Sequence, residues 1–170
     1  MDIKTYQQCA SAKVVTEIQN IFFETSTKTD FKNPEEKLTF FEKYCGYYLK
    51  HHPNFFFLAL HENKIVGYLC GAVNSASETE LYTILSHYGL FEDQYLKYPA
   101  HLHMNLTAKL QGQGIGTLLV EAFVNKLKET KVKGMHIITA PKARNVGFYQ
   151  KNNFAYQLER DGKLFMGKMI

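Results

Sequence analysis

Apolar positions along this chain switch between two periods, and each switch marks an element. Between Ala10 and Thr25, the residues Val14, Val15, Ile18, Ile21 and Phe22 recur every three or four positions, the spacing of one helix face. A short strand, Ile3 to Gln7, is predicted ahead of that helix. Asn33-Pro34-Glu35-Glu36 supplies an N-cap, a proline at the first helical position and acidic residues in the first turn. The helix it opens is expected to run to about Lys50, where His51-His52-Pro53 stops it. Phe55 to Leu60 and Lys64 to Val73 are strand-like runs joined by the polar turn His61-Glu62-Asn63. Another apolar run, Ala100 to Leu106, predicts a fourth strand. Beyond it Ile115, Leu118, Leu119, Ala122, Phe123 and Leu127 share one face of a helix over 115–130, followed by a strand from Met135 to Ala140. The chain closes with a hairpin, Phe154 to Arg160 and Lys163 to Ile170, around the turn dipeptide Asp161-Gly162.

The segment from Asn74 to Pro99 breaks this economy. It is longer than a hairpin needs and carries Leu81, Tyr82, Ile84, Leu85, Tyr88, Leu90, Phe91, Tyr95, Leu96 and Tyr98. One or two helices are expected there, serving as a lid over a substrate, as a decoration of the core or as a dimer contact.

Composition narrows the class. A chain of 170 residues suits one domain, 1–170, with the 74–99 segment as an insert, and 45% hydrophobic residues make it globular. A net charge of +4 spread over scattered lysines favours an anionic ligand and is no nucleic-acid signature. The amino terminus lacks a signal-peptide core, and the longest apolar run, Phe55 to Leu60, is far too short for a membrane span. Cys9, Cys45 and Cys70 are odd in number and widely spaced, so a reduced, cytoplasmic protein without membrane partners is expected.

The chemistry concentrates in Gln111-Gly112-Gln113-Gly114-Ile115-Gly116, between the fourth strand and the 115–130 helix. Glycines at such a junction let peptide N–H groups converge on an anion, and the helix N-terminus adds partial positive charge. No lysine stands where a mononucleotide P-loop needs one, and Thr117 occupies the last glycine of a dinucleotide fingerprint. Gln/Arg-x-x-Gly-x-Gly/Ala does fit, through Gln111, Gly114 and Gly116. This pattern resembles the pyrophosphate loop of the GNAT superfamily of N-acetyltransferases. A second segment, Asn145-Val146-Gly147-Phe148-Tyr149-Gln150-Lys151-Asn152-Asn153-Phe154, is similar to the Phe-Tyr-x-x-x-Gly-Phe helix and strand of that family. Asn153 replaces its usual glycine and preserves the left-handed turn. Val66-Gly67 looks like the family's third-strand valine or isoleucine and glycine.

The resemblance implies a mixed α/β fold: a mostly antiparallel sheet of roughly six to seven strands with about four helices, strands 4 and 5 parallel and splayed. It implies acetyl-CoA as cosubstrate, no metal, and an amine acceptor, small molecule or peptide, that attacks directly in a ternary complex. A catalytically silent acyl-CoA-binding or interaction module of the same fold is the alternative. Relatives of this type often pair through sheet edges, so a homodimer is an admissible assembly. Backbone groups of Leu106 and Thr107 are expected to meet the pantetheine arm, and Gln111, Gly112, Gln113, Gly114, Ile115, Gly116 and Thr117 the pyrophosphate. Asn145, Phe148 and Lys151 are expected beside the cosubstrate. Tyr149 is implied as proton donor to the departing thiolate. An amine nucleophile must also lose a proton, and His101 and His103 alternate on one face of the fourth strand as its candidate acceptors. Two histidines without a third ligand do not make a metal site. Tyr98 through His103 also looks like a subgroup related to the acetyltransferase-like domain of O-GlcNAc hydrolases.

Overall fold

The computed structural model describes residues 1–170. Seven strands, β1 (Asp2–Thr5), β2 (Phe56–His61), β3 (Lys64–Ala72), β4 (Ala100–Leu106), β5 (Gly134–Thr139), β6 (Tyr156–Arg160) and β7 (Lys163–Met169), form one sheet in the order β1-β2-β3-β4-β5-β7-β6. The pairs β1–β2, β2–β3, β5–β7 and β6–β7 are antiparallel. β4 and β5 run parallel, with Ala100 opposite Met135 and His101 opposite His136 at the start of both strands. The mixed, mostly antiparallel sheet implied by the resemblance is therefore present. Helices α1 (Tyr6–Cys9), α2 (Ala12–Thr25), α3 (Pro34–Phe41), α4 (Tyr47–His51), α5 (Thr79–Ile84), α6 (Ile115–Lys128) and α7 (Val146–Lys151) accompany it. By contact density the chain divides into two compact units, Met1–Gly71 with His103–Phe123, and Ala72–Leu102 with Val124–Ile170.

In the first unit β1 is shorter than predicted. Thr5 ends it by forming a capping box with Gln8, whose Oε1 accepts from the Thr5 N–H at 2.8 Å, and Tyr6 already belongs to α1. Ser11 caps α2 by accepting from the Val14 N–H at 3.2 Å, and Ile18, Ile21 and Phe22 are buried on its inner face. Asn33 caps α3 as its sequence implies, accepting from the Glu36 N–H at 2.8 Å. The helix predicted to continue to Lys50 does reach His51, but through a π-helical stretch, Glu42–Gly46, between α3 and α4. A β-carbon at Gly46 would lie 2.3 Å from the carboxylate of Glu42, an exposed side chain that would have to swing aside. Phe56 stacks on Tyr68 at 5.3 Å, and both are buried with Leu58, Leu69 and Cys70. Burying each such side chain contributes roughly 1.5–3 kcal/mol. The β2–β3 hairpin turns on Glu62 and Asn63, both left-handed (φ 51 and 62), the geometry that matches strand twist.

The second unit holds the insert. It folds as three short pieces, a 3-10 turn at Ser75–Ser77, helix α5, and a kinked 3-10 segment at Tyr88–Gln94. Leu81, Leu85, Tyr88, Phe91, Tyr95 and Tyr98 are all buried. Phe91 packs on Phe165 of β7 at 5.3 Å and Tyr98 stacks on Tyr156 of β6 at 5.2 Å. The insert is thus part of this unit's core.

Candidate active site

The glycine loop has the geometry its composition implies. Gly112 and Gly114 are left-handed (φ 80 and 82), and Gln113 between them is not. Such alternation turns successive N–H groups toward one side. The loop's form is held from within. Gln111 Nε2 donates to the Leu106 carbonyl at 3.1 Å, and Gln113 Nε2 donates to the Lys109 carbonyl at 3.3 Å. The first helical bond of α6 runs from the Leu118 N–H to the Gly114 carbonyl at 3.2 Å, so the N–H groups of Ile115, Gly116 and Thr117 precede the helical ladder. Residues 111–114 are exposed, and nothing lies within 4 Å of where a β-carbon would stand at Gly112 or Gly114. Exposed N–H groups with open space before them are what binding of an anion requires. The glycines matter through their positive φ rather than through crowding, a distinction invisible in the sequence.

Ahead of the loop, the Thr107 N–H donates to the Val66 carbonyl at 3.0 Å, and the Leu106 carbonyl already accepts from Gln111. These groups, expected to meet a pantetheine arm, are engaged within the protein. A β-carbon at Gly67 would come within 2.2 Å of the Leu106 side chain and 3.0 Å of the Asn105 carbonyl. Gly67 is what lets β3 approach the end of β4. Asn105 in turn accepts from the Tyr68 hydroxyl at 3.1 Å and donates to the Thr25 hydroxyl.

His103 belongs to the first unit, half-buried, with its ring 5.4 Å from that of Tyr48. His101 belongs to the second and is buried there. Its Nδ1 lies 2.7 Å from the Ser75 hydroxyl and 3.4 Å from the Tyr88 hydroxyl. Its ring centroid is 5.8 Å from that of His136. Ser75, Tyr88 and His136 were not among the candidate site residues read from the sequence, because no local pattern links them to His101.

Tyr149 sits in α7, buried, with its ring edge-on to Phe148 at 5.2 Å and to Phe154 at 5.1 Å. Its carbonyl accepts from the N–H groups of both Asn152 and Phe154 at 3.0 Å. Asn153, between these two, is left-handed (φ 66), as its place in the motif requires. Asn145 precedes the helix and accepts from the Thr139 hydroxyl at 3.0 Å. Phe148 is half-buried, and Lys151 is exposed in the last turn of α7. No group of three or more His, Cys, Asp or Glu residues is arranged to hold a metal. The three cysteines are free.

β4 thus leads through the glycine loop into α6 and on to β5, which runs parallel to it. A family model described as "Acetyltransferase (GNAT) family" matches residues 15–154, and the chain belongs to that family. The solved structures carry the fold. SsHAT superposes with a TM-score of 0.78 at 16% identity, over 99% of this chain and 97% of its own. PH1933 from Pyrococcus horikoshii OT3 does so at 0.75 and 17%, over 99% of each chain. The PaiA N-acetyltransferase of Thermoplasma acidophilum, solved in complex with coenzyme A, gives 0.67 and 15% over the full length of both. These comparisons give no support to the narrower likeness to the domain of O-GlcNAc hydrolases. No helix is long and apolar enough to cross a membrane.

Proposed function

We propose that this chain is an acetyl-CoA-dependent N-acetyltransferase acting on a primary amine, a small molecule or a peptide, by direct attack. The observation that carries the reading is the pair of left-handed glycines, Gly112 and Gly114, opening α6 in a member of the GNAT family. In this reading Gln111 through Thr117 hold the pyrophosphate through peptide N–H groups, and the side chains of Gln111 and Gln113 keep the loop in shape. The thioester supplies an activated acetyl group. The amine must arrive neutral, which calls for a proton acceptor because its ordinary pKa is about 10.4. His101 and His103 are the titratable candidates on β4, and Tyr149 is the proton donor to the departing thiolate. Direct attack is favoured over an acyl-cysteine because Cys45 and Cys70 are buried and Cys9 lies outside both motifs. Three free thiols also suit a reducing, cytoplasmic setting. We treat residues 1–170 as one functional domain. Asn145, Phe148 and Lys151 are assigned to the neighbourhood of the cosubstrate.

Calorimetric titration with acetyl-CoA tests the reading directly. Saturable binding at one site per chain is expected, and release of free thiol should follow when amines are added. The panel should include peptide N-termini, lysine side chains and small aryl alkylamines. Gly114→Val should remove binding and leave the circular dichroism spectrum unchanged, because a β-branched residue resists φ near 82. A folded wild-type protein that binds no acetyl-CoA refutes the proposal. Binding without turnover across the panel selects the silent module instead.

A further inference from the structure

The second unit carries a groove of about 850 Å³ that draws on neither the glycine loop nor α7. One wall is the end of the insert, where Leu96, Lys97 and Pro99 follow the buried Tyr95. The other is the segment 130–133, between α6 and β5. Both walls are held in place. A β-carbon at Gly134 would lie 2.4 Å from the Lys97 carbonyl, so glycine there is what lets the insert press against the start of β5. The Tyr98 carbonyl is tied to β5 as well, 2.6 Å from His136 Nδ1. In the other wall the Thr130 hydroxyl donates to the Leu127 carbonyl at 2.6 Å and accepts from the Val132 N–H at 3.2 Å. The Lys133 carbonyl accepts from the Ile170 N–H at 2.8 Å. Walls fixed in advance leave little to be ordered when a partner binds.

The lining says what kind of partner suits it. Leu96 is 96% exposed, and Val73, Pro99 and Val132 extend its apolar strip along the groove. A single exposed leucine carries no meaning, but apolar side chains gathered in one groove mark an interaction site. Lys131 and Lys133 flank Val132, and both are exposed and outside any ion pair. Lys97 Nζ lies over the rings of Tyr98 and Tyr156 at 5.4 and 5.7 Å, and Glu92 is the one carboxylate of the lining. The excess of cations calls for an anionic partner, and the strip calls for apolar side chains. A small ligand is held by enclosure on most sides, which a groove rimmed by so exposed a leucine does not give. An extended chain makes its contacts along its length instead. We propose that the groove docks an extended protein segment combining acidic and apolar residues. Its carboxylates pair with Lys131 and Lys133, and its apolar side chains cover Leu96 and Val132. This role is independent of acetyl transfer.

Selection of a phage-displayed library of random dodecapeptides on the full chain tests this, with affinities of the enriched peptides then read by fluorescence anisotropy. Sequences rich in Asp and Glu beside Leu, Ile or Phe are expected. Their affinity should fall about tenfold when Lys131→Glu and Lys133→Glu are combined, since reversal turns two attractions into repulsions. Leu96→Ser should cost about as much, through the lost apolar contact. Binding should also weaken as salt is raised from about 50 to about 500 mM. Lys64→Glu, which reverses an exposed lysine of the first unit, should change nothing. Circular dichroism checks that each variant keeps its fold. If the double variant loses it, the two single reversals give the same reading at about threefold each. No enrichment, enrichment of basic or uncharged peptides, or peptides that bind all these variants equally would overturn the proposal. Self-association of the wild type, seen in analytical ultracentrifugation and abolished by Leu96→Ser, would give the groove to a second copy and overturn it too. So would decanoate binding that the same substitutions remove while no peptide is enriched, because the groove would then hold a small carboxylate.

Discussion

One oxygen separates the proton donor we propose at Tyr149 from a packed ring. The ring packs against Phe148 and Phe154, contacts that Tyr149→Phe keeps, so that variant should fold while lowering turnover by about a hundredfold. Turnover within a few-fold of wild type would end its role as general acid. The cysteines make a second residue-scale case. Burial pushes the Cys70 thiol well above its ordinary range, and burial also raises Cys9 more modestly, against the pull of Lys4. Cys45 and Cys70 are buried while Cys9 is partly exposed. Iodoacetamide at neutral pH should therefore modify Cys9 first and reach the other two only on unfolding. Rapid native labelling of Cys45 or Cys70 would reopen the acyl-cysteine route. Residue identity foretold some of this local behaviour well. Asn153 was expected to be left-handed because asparagine tolerates that region, and it is. The sequence did not foretell that the Thr107 N–H is already used by Val66. A backbone group's partner lies wherever the neighbouring strand places it, and no side-chain pattern encodes that.

Elements were legible in proportion to the locality of their signals. The Asn33 cap, the Pro34 start and the acidic first turn of α3 act within four residues, and all appear as expected. Asn33→Ala should accordingly cost about 1 kcal/mol in denaturant unfolding with an unchanged m-value. A negligible loss would mean that tertiary packing alone holds this helix end. The π-helical stretch at Glu42–Gly46 escaped the sequence because five residues are too few to separate its period from that of an α-helix. β1 lost its last residues to a capping box whose signal, Thr5 and Gln8, competes with a weak strand pattern. The insert was recognisable as apolar but not as three short pieces. Its form depends on partners far along the chain, including Pro99 for Ser75 and Phe165 for Phe91.

Long-range pairing is where charge enters the stability of the second unit. Arg160 on β6 donates to the Leu90 carbonyl at 2.9 Å and grips both oxygens of Asp93, so the end of the hairpin is tied to the insert. Hydrogen bonds from Arg160, then from Gln94, lower the Asp93 carboxyl from its ordinary 3.8 to about 2. A depressed carboxylate contributes stability that is complete above its unfolded value and disappears as pH falls through its folded one. Thermal melts of wild type and Arg160→Gln should therefore differ most above about pH 4 and draw closer toward pH 2, where the Leu90 bond alone still separates them. The gap should also shrink in high salt, because both partners are exposed. A gap as wide at pH 2 as at neutral pH would assign the effect to packing and to the Leu90 bond rather than to the ion pair.

At this scale the division of labour is clear. The order of strands and helices, the glycine cradle, the Asn145–Phe154 motif and the free cysteines were determined by the sequence alone, because each rests on spacing, caps or turn residues that act over a few positions. The partition of His101 and His103 between two compact units and the hydrogen bonds that Ser75 makes with Pro99 and His101 were decided only in three dimensions. They depend on which distant groups meet once the apolar faces are buried, and a linear pattern carries no record of that.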